Sequence, residues 1–458
     1  MFSKALARFL KSRRTSGLLA TVVTGTGLAL GIRVLGVGLG YASEVILARM
    51  LSAGDYGIYS LVIAWITLIS LVALLGMHHA VVRFIPEYIT REDGGRLRGI
   101  IYGSLGVALS LGVAIALAGT VILLLWDRSH PIAGLNVWLL GVWMIPLFAL
   151  MRLAWNVAVA LRRVVAAFGP PQVVQPVLIV LILAGFALLG YPVVALAAVM
   201  AAGAARLLIL LWQGILLKRG GLPIPATNGP VLDLRVWLAV GAPLLLFDLF
   251  SIILRQADLL MIGALMTPAD AGIYGAALKT TGQTIFLLTS VNAVIAPMLS
   301  AMYAKKDMAG LQRLLYMAVH LSFWPALLFV GALILLSNFI LGLFGPEFLA
   351  ARTPMIILGI GQLFNAGTGV VISLLIVTGQ HKTATKVYGV SAGLYLILAF
   401  LGIRVFGLVG AAVATAMIMA LWNIWLSVLA YRRLGLHTAI PAAVQALARR
   451  RLQSGQKR

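Results

Sequence analysis

Long apolar runs separated by short polar turns fill this chain from end to end. A bilayer core about 30 Å thick needs roughly 20 apolar residues per helix, and the pattern predicts twelve such spans. Six come first: Gly17 to Ala48, Tyr56 to Ile85, Leu97 to Trp126, Leu135 to Ala160, Pro171 to Leu189 and Val193 to Leu217. A polar stretch with Pro and Gly, 218–235, reads as a cytoplasmic linker. Six more follow: Val236 to Met266, Ala271 to Ser300, Leu311 to Leu336, Met355 to Val377, Thr383 to Ile403 and Gly407 to Ala430. Two bundles of six helices, 17–217 and 236–431, are therefore expected.

One phrase supports that division. Arg49 to Tyr59 (RMLSAGDYGIY) returns 215 residues later as Ala264 to Tyr274 (ALMTPADAGIY), with Asp55, Gly57, Ile58 and Tyr59 recurring as Asp270, Gly272, Ile273 and Tyr274. Each copy follows the first span of its half. The spacing is too long for a solenoid unit. It predicts two related halves, with Asp55 as the N-cap of a helix and Gly57 as a close-packing position.

Composition fixes the environment. The 458 residues are 62% hydrophobic and only 10% charged, against about 25% charged in soluble domains; mean hydropathy is +1.06. The absence of cysteine excludes disulfides and thiolate metal sites, and the six histidines lack metal spacing. A net charge of +23 invites a nucleic-acid reading, but its placement excludes one. With loops assigned alternately, the side holding both termini collects 25 of the 35 Lys and Arg, and the other side keeps only Arg49, Arg128, Arg352 and Arg404. Positive loops stay inside, so both termini are expected in the cytoplasm. The basic segment 1–16 reads as an amphipathic helix on the inner leaflet, and 432–458 as a basic cytoplasmic tail.

Six cations remain in or near the spans: Arg33, Arg83, Arg152, Arg206, Arg255 and Lys279. A charge in the bilayer is costly and marks a wet pathway unless it snorkels to the headgroups. Snorkelling fits Arg83, which ends its span; both readings stand for Arg152 and Arg206, and Arg33 is mid-span. Three acids accompany them: Glu44, Asp248 and Asp258. Asp258 lies three residues after Arg255, where the two could pair along a helix face. A desolvated carboxylate could instead take up a proton or sodium, which makes all three acids candidate coupling sites. His78 and His79 read as packed or interfacial rather than as relays. Pro146, Pro176, Pro243, Pro297 and Pro325 are candidate kinks. No nucleotide loop and no nucleophile–base set is present, so neither catalysis nor a bound cofactor is expected.

The first span with ILARMLSAGDYGIYSLV, and the second ending in AVVRFIPEY, resembles the N-terminal region of polysaccharide-transporter proteins. These are the Wzx-type flippases of the multidrug/oligosaccharidyl-lipid/polysaccharide superfamily. The resemblance implies an all-α polytopic membrane protein, twelve transmembrane helices in two pseudo-symmetric bundles around a central cavity. It implies transport, by alternating access, of an undecaprenyl-pyrophosphate-linked glycan from the cytoplasmic to the periplasmic leaflet of a bacterial inner membrane. Surface-polysaccharide polymerase or assembly proteins would be its partners, and protons or sodium its coupling ion. The six cations would match the pyrophosphate, with Arg33 and Arg255 clamping it from the two bundles. The alternative is a multidrug or organic-cation antiporter on the same scaffold, which the excess of buried cations over acids disfavours.

Overall fold

A computed structural model describes residues 16–132, 134–222, 224 and 229–443. The expected inner-leaflet helix over 1–16 falls almost wholly outside them, as do much of the basic tail and part of the linker. Among the described residues the chain is helical throughout, with no strand.

The first half opens with α1 (Ser16–Met50). The second predicted span is two helices, α2 (Ala53–Ala73) and α3 (Met77–Thr90), joined through left-handed Leu75 (φ 44°) and Gly76 (φ 76°). Next come α4 (Gly94–Ser129) and the pair α5 (Leu135–Trp143) and α6 (Ile145–Ala160). α7 (Val164–Gly169) passes through a π turn, Pro170–Val174, into α8 (Gln175–Leu188), and α9 (Ala195–Arg219) closes the half. The second half holds α10 (Leu234–Leu265), the pair α11 (Pro268–Gly282) and α12 (Thr284–Ala304), and α13 (Met308–Leu335). Short α14 (Ser337–Phe344) and a 3-10 turn lead into α15 (Arg352–Thr368) and α16 (Val371–Val377). α17 (His381–Leu434) ends the described fold.

Ten stretches are long and apolar enough to cross a membrane, and Pro346–Thr368 with Val371–Val377 makes an eleventh, bent by 40°. α17 holds two spans in one. Its 54 residues would reach about 80 Å as a straight helix, but Gly407 (φ 56°, ψ −134°) breaks it. The backbones of Gly402 and Gly410 then meet so closely that a Cβ on Gly410 would lie 1.9 Å from the Gly402 carbonyl oxygen. Reversing the chain at Gly407 restores the twelve spans. Pro146 and Pro176 sit in the first turn after a break, where a missing N–H costs nothing, whereas Pro243, Pro297 and Pro325 lie inside helices. Side chains such as Leu188, Leu328 and Leu335 stay exposed on the outer faces, as hydrocarbon contact allows.

The repeated phrase forms the turn from span 1 to span 2 and from span 7 to span 8. Ser52, not Asp55, is the first N-cap: its side chain accepts the Asp55 N–H at 3.1 Å. The helix starts three residues earlier than the sequence suggests, and Asp55 becomes the third residue of its first turn. Its Oδ1 instead accepts the Ala195 N–H at 2.9 Å, tying in α9. In the second copy Thr267 and Asp270 complete a reciprocal capping box.

Candidate functional site

The halves meet along α2 and α3 on one side and α10 and α11 on the other. At the end carrying the repeated turns they touch backbone to backbone. A Cβ on Gly57 would lie 1.7 Å from the Pro268 carbonyl oxygen, and one on Gly272 2.2 Å from that of Ala53. Only glycine permits this approach. Arg49 adds Nε and Nη2 hydrogen bonds, at 2.7 and 2.8 Å, to the carbonyls of Leu343 and Gly342. Glu347 accepts the Ala53 N–H at 3.2 Å. Toward the opposite end Gly76 packs on the Gly241 backbone, and Trp237 Nε1 donates to the Tyr88 hydroxyl at 2.9 Å.

Between these contacts lies a cavity of about 400 Å³. The first half contributes Tyr59, Ser60, Ile63 and Ala64; the remaining lining comes from the second half. Among that lining are Arg255 and Lys279, the polar Gln256, Gln362 and Asn365, and the aromatic Tyr388 and Trp422. Apart from hydroxyls such as those of Ser60, Ser251, Thr281 and Thr415 the walls are largely apolar, so the two cations attract an anion there more strongly than in water.

Charged side chains link the halves beside this cavity. Lys279 on α11 pairs with Glu44 on α1, and Glu44 also accepts the Tyr56 hydroxyl at 2.9 Å. Tyr41 and Thr280 share a 3.0 Å hydrogen bond just beyond. A second link is built on Asp248 of α10: one oxygen, Oδ2, meets His78 Nε2 at 2.7 Å and His79 Nε2 at 2.8 Å, both from α3. Arg152 Nη2 of α6 lies 4.0 Å from the same oxygen. By donor type His78, His79 and Asp248 could hold a divalent transition metal, their ligand atoms lying within 4.8 Å of one another. The adjacent guanidinium and a His78 Nδ1 with no partner among the described residues to orient the ring fit an ionic bridge better.

Asp258 is separate from both links and does not pair with Arg255. Fully buried, it accepts the Tyr274 hydroxyl at 2.8 Å, the Thr415 hydroxyl at 3.0 Å and the Leu259 N–H at 2.8 Å. Tyr395 completes the set through Thr415. Three donors, from α10, α11 and the second arm of α17, thus converge on one carboxylate, and Tyr395 of the first arm backs one of them.

The sequence-predicted cations divide accordingly. Arg255 and Lys279 line the cavity, and Arg152 joins the Asp248 bridge. Arg33 stacks over Phe168 of its own half, 4.8 Å from the ring centroid, and is not among the lining residues. Arg33 and Arg255, expected to act together, are therefore apart, because α1 packs its Arg33 turn against α7 and the π turn. Arg206 lies over Phe148 at 4.3 Å with Nη1 on the Ala202 carbonyl, and Arg83 is exposed beside Phe84. The sequence reads His78 and His79 as packed or interfacial, marks Tyr274 only as part of the repeated phrase, and gives Thr415 and Tyr395 no role. Their signal was polarity inside apolar runs.

Comparison with known proteins agrees with this architecture. Residues 22–303 match the family described as "Polysaccharide biosynthesis protein". A probable low-salt glycan biosynthesis flippase of Haloferax volcanii, Agl15, is 30% identical over 168 residues, 36% of this chain and 35% of that protein. An uncharacterized membrane protein of Methanocaldococcus jannaschii, MJ1068, is 30% identical over 165 residues, 34% of this chain and 32% of that protein. The matched stretches thus span about a third of these curated relatives. Among solved structures, an inward-facing multidrug-resistance MATE transporter of the MOP superfamily superposes with a TM-score of 0.68 at 16% identity, over 92% of this chain and 95% of that one. A MOP-superfamily transporter from Pyrococcus furiosus, described as having a binding pocket of reverse polarity, gives a TM-score of 0.64 at 14% identity, over 88% and 95%.

Proposed function

The chain belongs to the family described as "Polysaccharide biosynthesis protein", and we propose that it is a flippase of the MOP superfamily that moves a polyprenyl-pyrophosphate-linked oligosaccharide between leaflets. The observation that carries this reading is the inter-bundle cavity, with Arg255 and Lys279 set in largely apolar walls. A diphosphate leaving water needs matched positive charge, and Arg and Lys are the donors that supply it. A cationic drug would meet repulsion there, which sets aside the antiporter reading.

Alternating access follows from where the halves touch. The Gly57–Gly272 contact and the Arg49 and Glu347 links close the turn end, and the Glu44–Lys279 pair sits between the closed end and the cavity. An arriving diphosphate competes with Glu44 for Lys279. Once that pair separates, fewer bonds hold α1 to α11 and the turn end is freer to part. With both termini in the cytoplasm, as the positive loops favour, the turn end faces the periplasm and the substrate enters from the cytoplasmic side. The polyprenyl tail stays in the bilayer through a lateral opening between the bundles.

Coupling to protons or sodium we assign to Asp258. Its carboxylate is fully buried among hydroxyls of several spans, a setting in which an anion is costly and gains from a bound cation. Asp248 and Glu44 are instead committed to the inter-bundle links.

The test is to delete the gene and extract polyprenyl-linked saccharides from the host. A complete lipid-linked repeat accumulating on the cytoplasmic leaflet supports the flippase; intact surface glycans without accumulation refute it.

A further inference from the structure

We propose that the second-half wall of the cavity is a saccharide subsite, in which Gln256 and Gln362 receive sugar hydroxyls and Tyr388 and Trp422 face the sugar ring. This rests on the flippase reading and specifies which part of the ligand is recognised, and where. Gln362 on α15 is 93% buried, being 7% exposed, and Gln256 on α10 is half-buried. Both line the cavity, and the side-chain carbonyl oxygen of each is shielded and without a hydrogen-bond partner among the described residues. As the amides stand these oxygens are closed to a ligand, while the amide nitrogens are not; the terminal torsion is roughly two-fold, so turning either amide over frees a stranded acceptor and presents it to a hydroxyl donor in the cavity. Asn365, one helical turn after Gln362 on the same cavity wall, adds a third amide.

The aromatic pair supplies the complementary surface. Tyr388 and Trp422 have ring centroids 6.0 Å apart and inclined by 34°, and Phe247 backs Tyr388 at 4.9 Å. The negative π face of such rings suits the weakly positive C–H face of a pyranose. Arg255, Lys279 and the amides line one cavity, so a diphosphate held at Arg255 and Lys279 keeps its first sugar within the same lining. A volume of about 400 Å³ is near the lower end of ligand pockets, which run roughly 300–1,000 Å³, and suits the first one or two rings rather than a whole oligosaccharide.

The chemistry belongs to one half. At the repeat offset of 215 residues Gln256 corresponds to Tyr41 and Arg255 to Gly40. Tyr41 already spends its hydroxyl on Thr280.

The experiment measures binding to the purified full chain in nanodiscs. The probes are a short-chain polyprenyl diphosphate and the same lipid diphosphate carrying one glucose or one N-acetylglucosamine. Wild type is expected to bind a sugar-bearing probe at least about tenfold more tightly than the bare diphosphate. Gln256→Leu and Gln362→Leu should erase that preference, read within each variant as the ratio of its affinities for the sugar-bearing and bare probes; Gln362→Glu, which keeps the acceptor, should retain part of it. Equal wild-type affinity for bare and sugar-bearing probes, or full preference in both leucine variants, overturns the subsite and leaves the flippase reading standing. Failure of wild type to bind any of the lipid diphosphates overturns the flippase reading itself.

Discussion

Gly57 and Gly272, which occupy the same position in two copies of one phrase 215 residues apart, lie against each other across the boundary between the bundles. A Cβ at Gly57 would sit 2.9 Å from the Gly272 backbone nitrogen as well as 1.7 Å from the Pro268 carbonyl oxygen. An internal repeat has become a contact about a pseudo-two-fold axis. Overpacking costs typically about 1–3 kcal/mol, so Gly57→Leu should depopulate the state closed at the turn end by roughly five- to a hundredfold. The chain has no cysteine, so a single cysteine at Ser60 in the cavity reports the change. Its labelling by an impermeant thiol reagent from the turn end should rise in Gly57→Leu; unchanged labelling contradicts a glycine-dependent seal.

The Glu44–Lys279 pair predicts a charge-swap rescue. Both side chains are partly exposed, at 19% and 40%, so the pair contributes about 1 kcal/mol, near the top of the surface range. Glu44→Gln and Lys279→Gln should each lower transport. Glu44→Lys with Lys279→Glu should restore the inter-bundle attraction and much of the thermal stability. Additive losses in the double variant would show that the two residues act separately.

Asp248 gathers His78, His79 and Arg152 of the other bundle on one oxygen. Asp248→Asn keeps the shape but removes the charge, and weakening these part-buried, charge-assisted hydrogen bonds is expected to cost about 2 kcal/mol. Thermal unfolding of the purified variant should fall markedly while expression persists. Stability equal to wild type would show that the bridge does not hold the bundles together.

At the terminal end Asp93 accepts the Arg96 N–H at 2.9 Å, capping α4, and Arg96 Nε reaches Asp233 at 2.7 Å, tying α4 to the start of α10. The bond from the Arg96 backbone holds the Asp93 carboxyl below the usual carboxylate range. A depressed folded-state pKa contributes stability that is present above the unfolded value, about 3.9, and lost as pH falls through the folded value. Asp93→Ala should cost about 1 kcal/mol near neutral pH and nothing additional in strong acid. A variant whose stability difference from wild type persists unchanged to pH 2 would contradict the assignment.

Much of this was legible in residue pattern. Twelve spans in two halves follow from apolar run length and the repeat, because a bilayer enforces them. What the pattern concealed were breaks inside runs. Leu75–Gly76, the Gly282–Thr284 junction and Gly407 look apolar or weakly polar, and only packing reveals the positive φ at Leu75, Gly76 and Gly407. The site was half legible: Arg255 and Lys279 stood out as charges in apolar runs, and both line the cavity. Arg33 stood out equally yet packs on Phe168, since a helical sequence gives no rotation of α1 about its own axis. Gln256 and Gln362 carry no charge and drew no notice, although unpartnered amides mark a cavity as clearly as cations do.

Movement of a lipid diphosphate saccharide across the bilayer of proteoliposomes tests the central claim most directly. The probe is a short-chain, fluorescent polyprenyl-diphosphate sugar, and the readout is its accessibility to a membrane-impermeant quencher. Wild type should exchange the probe between leaflets, Arg255→Ala should abolish the exchange, and Arg33→Ala should slow it far less. No exchange by a folded wild type, or equal exchange by Arg255→Ala, would contradict a flippase that reads its substrate in this cavity.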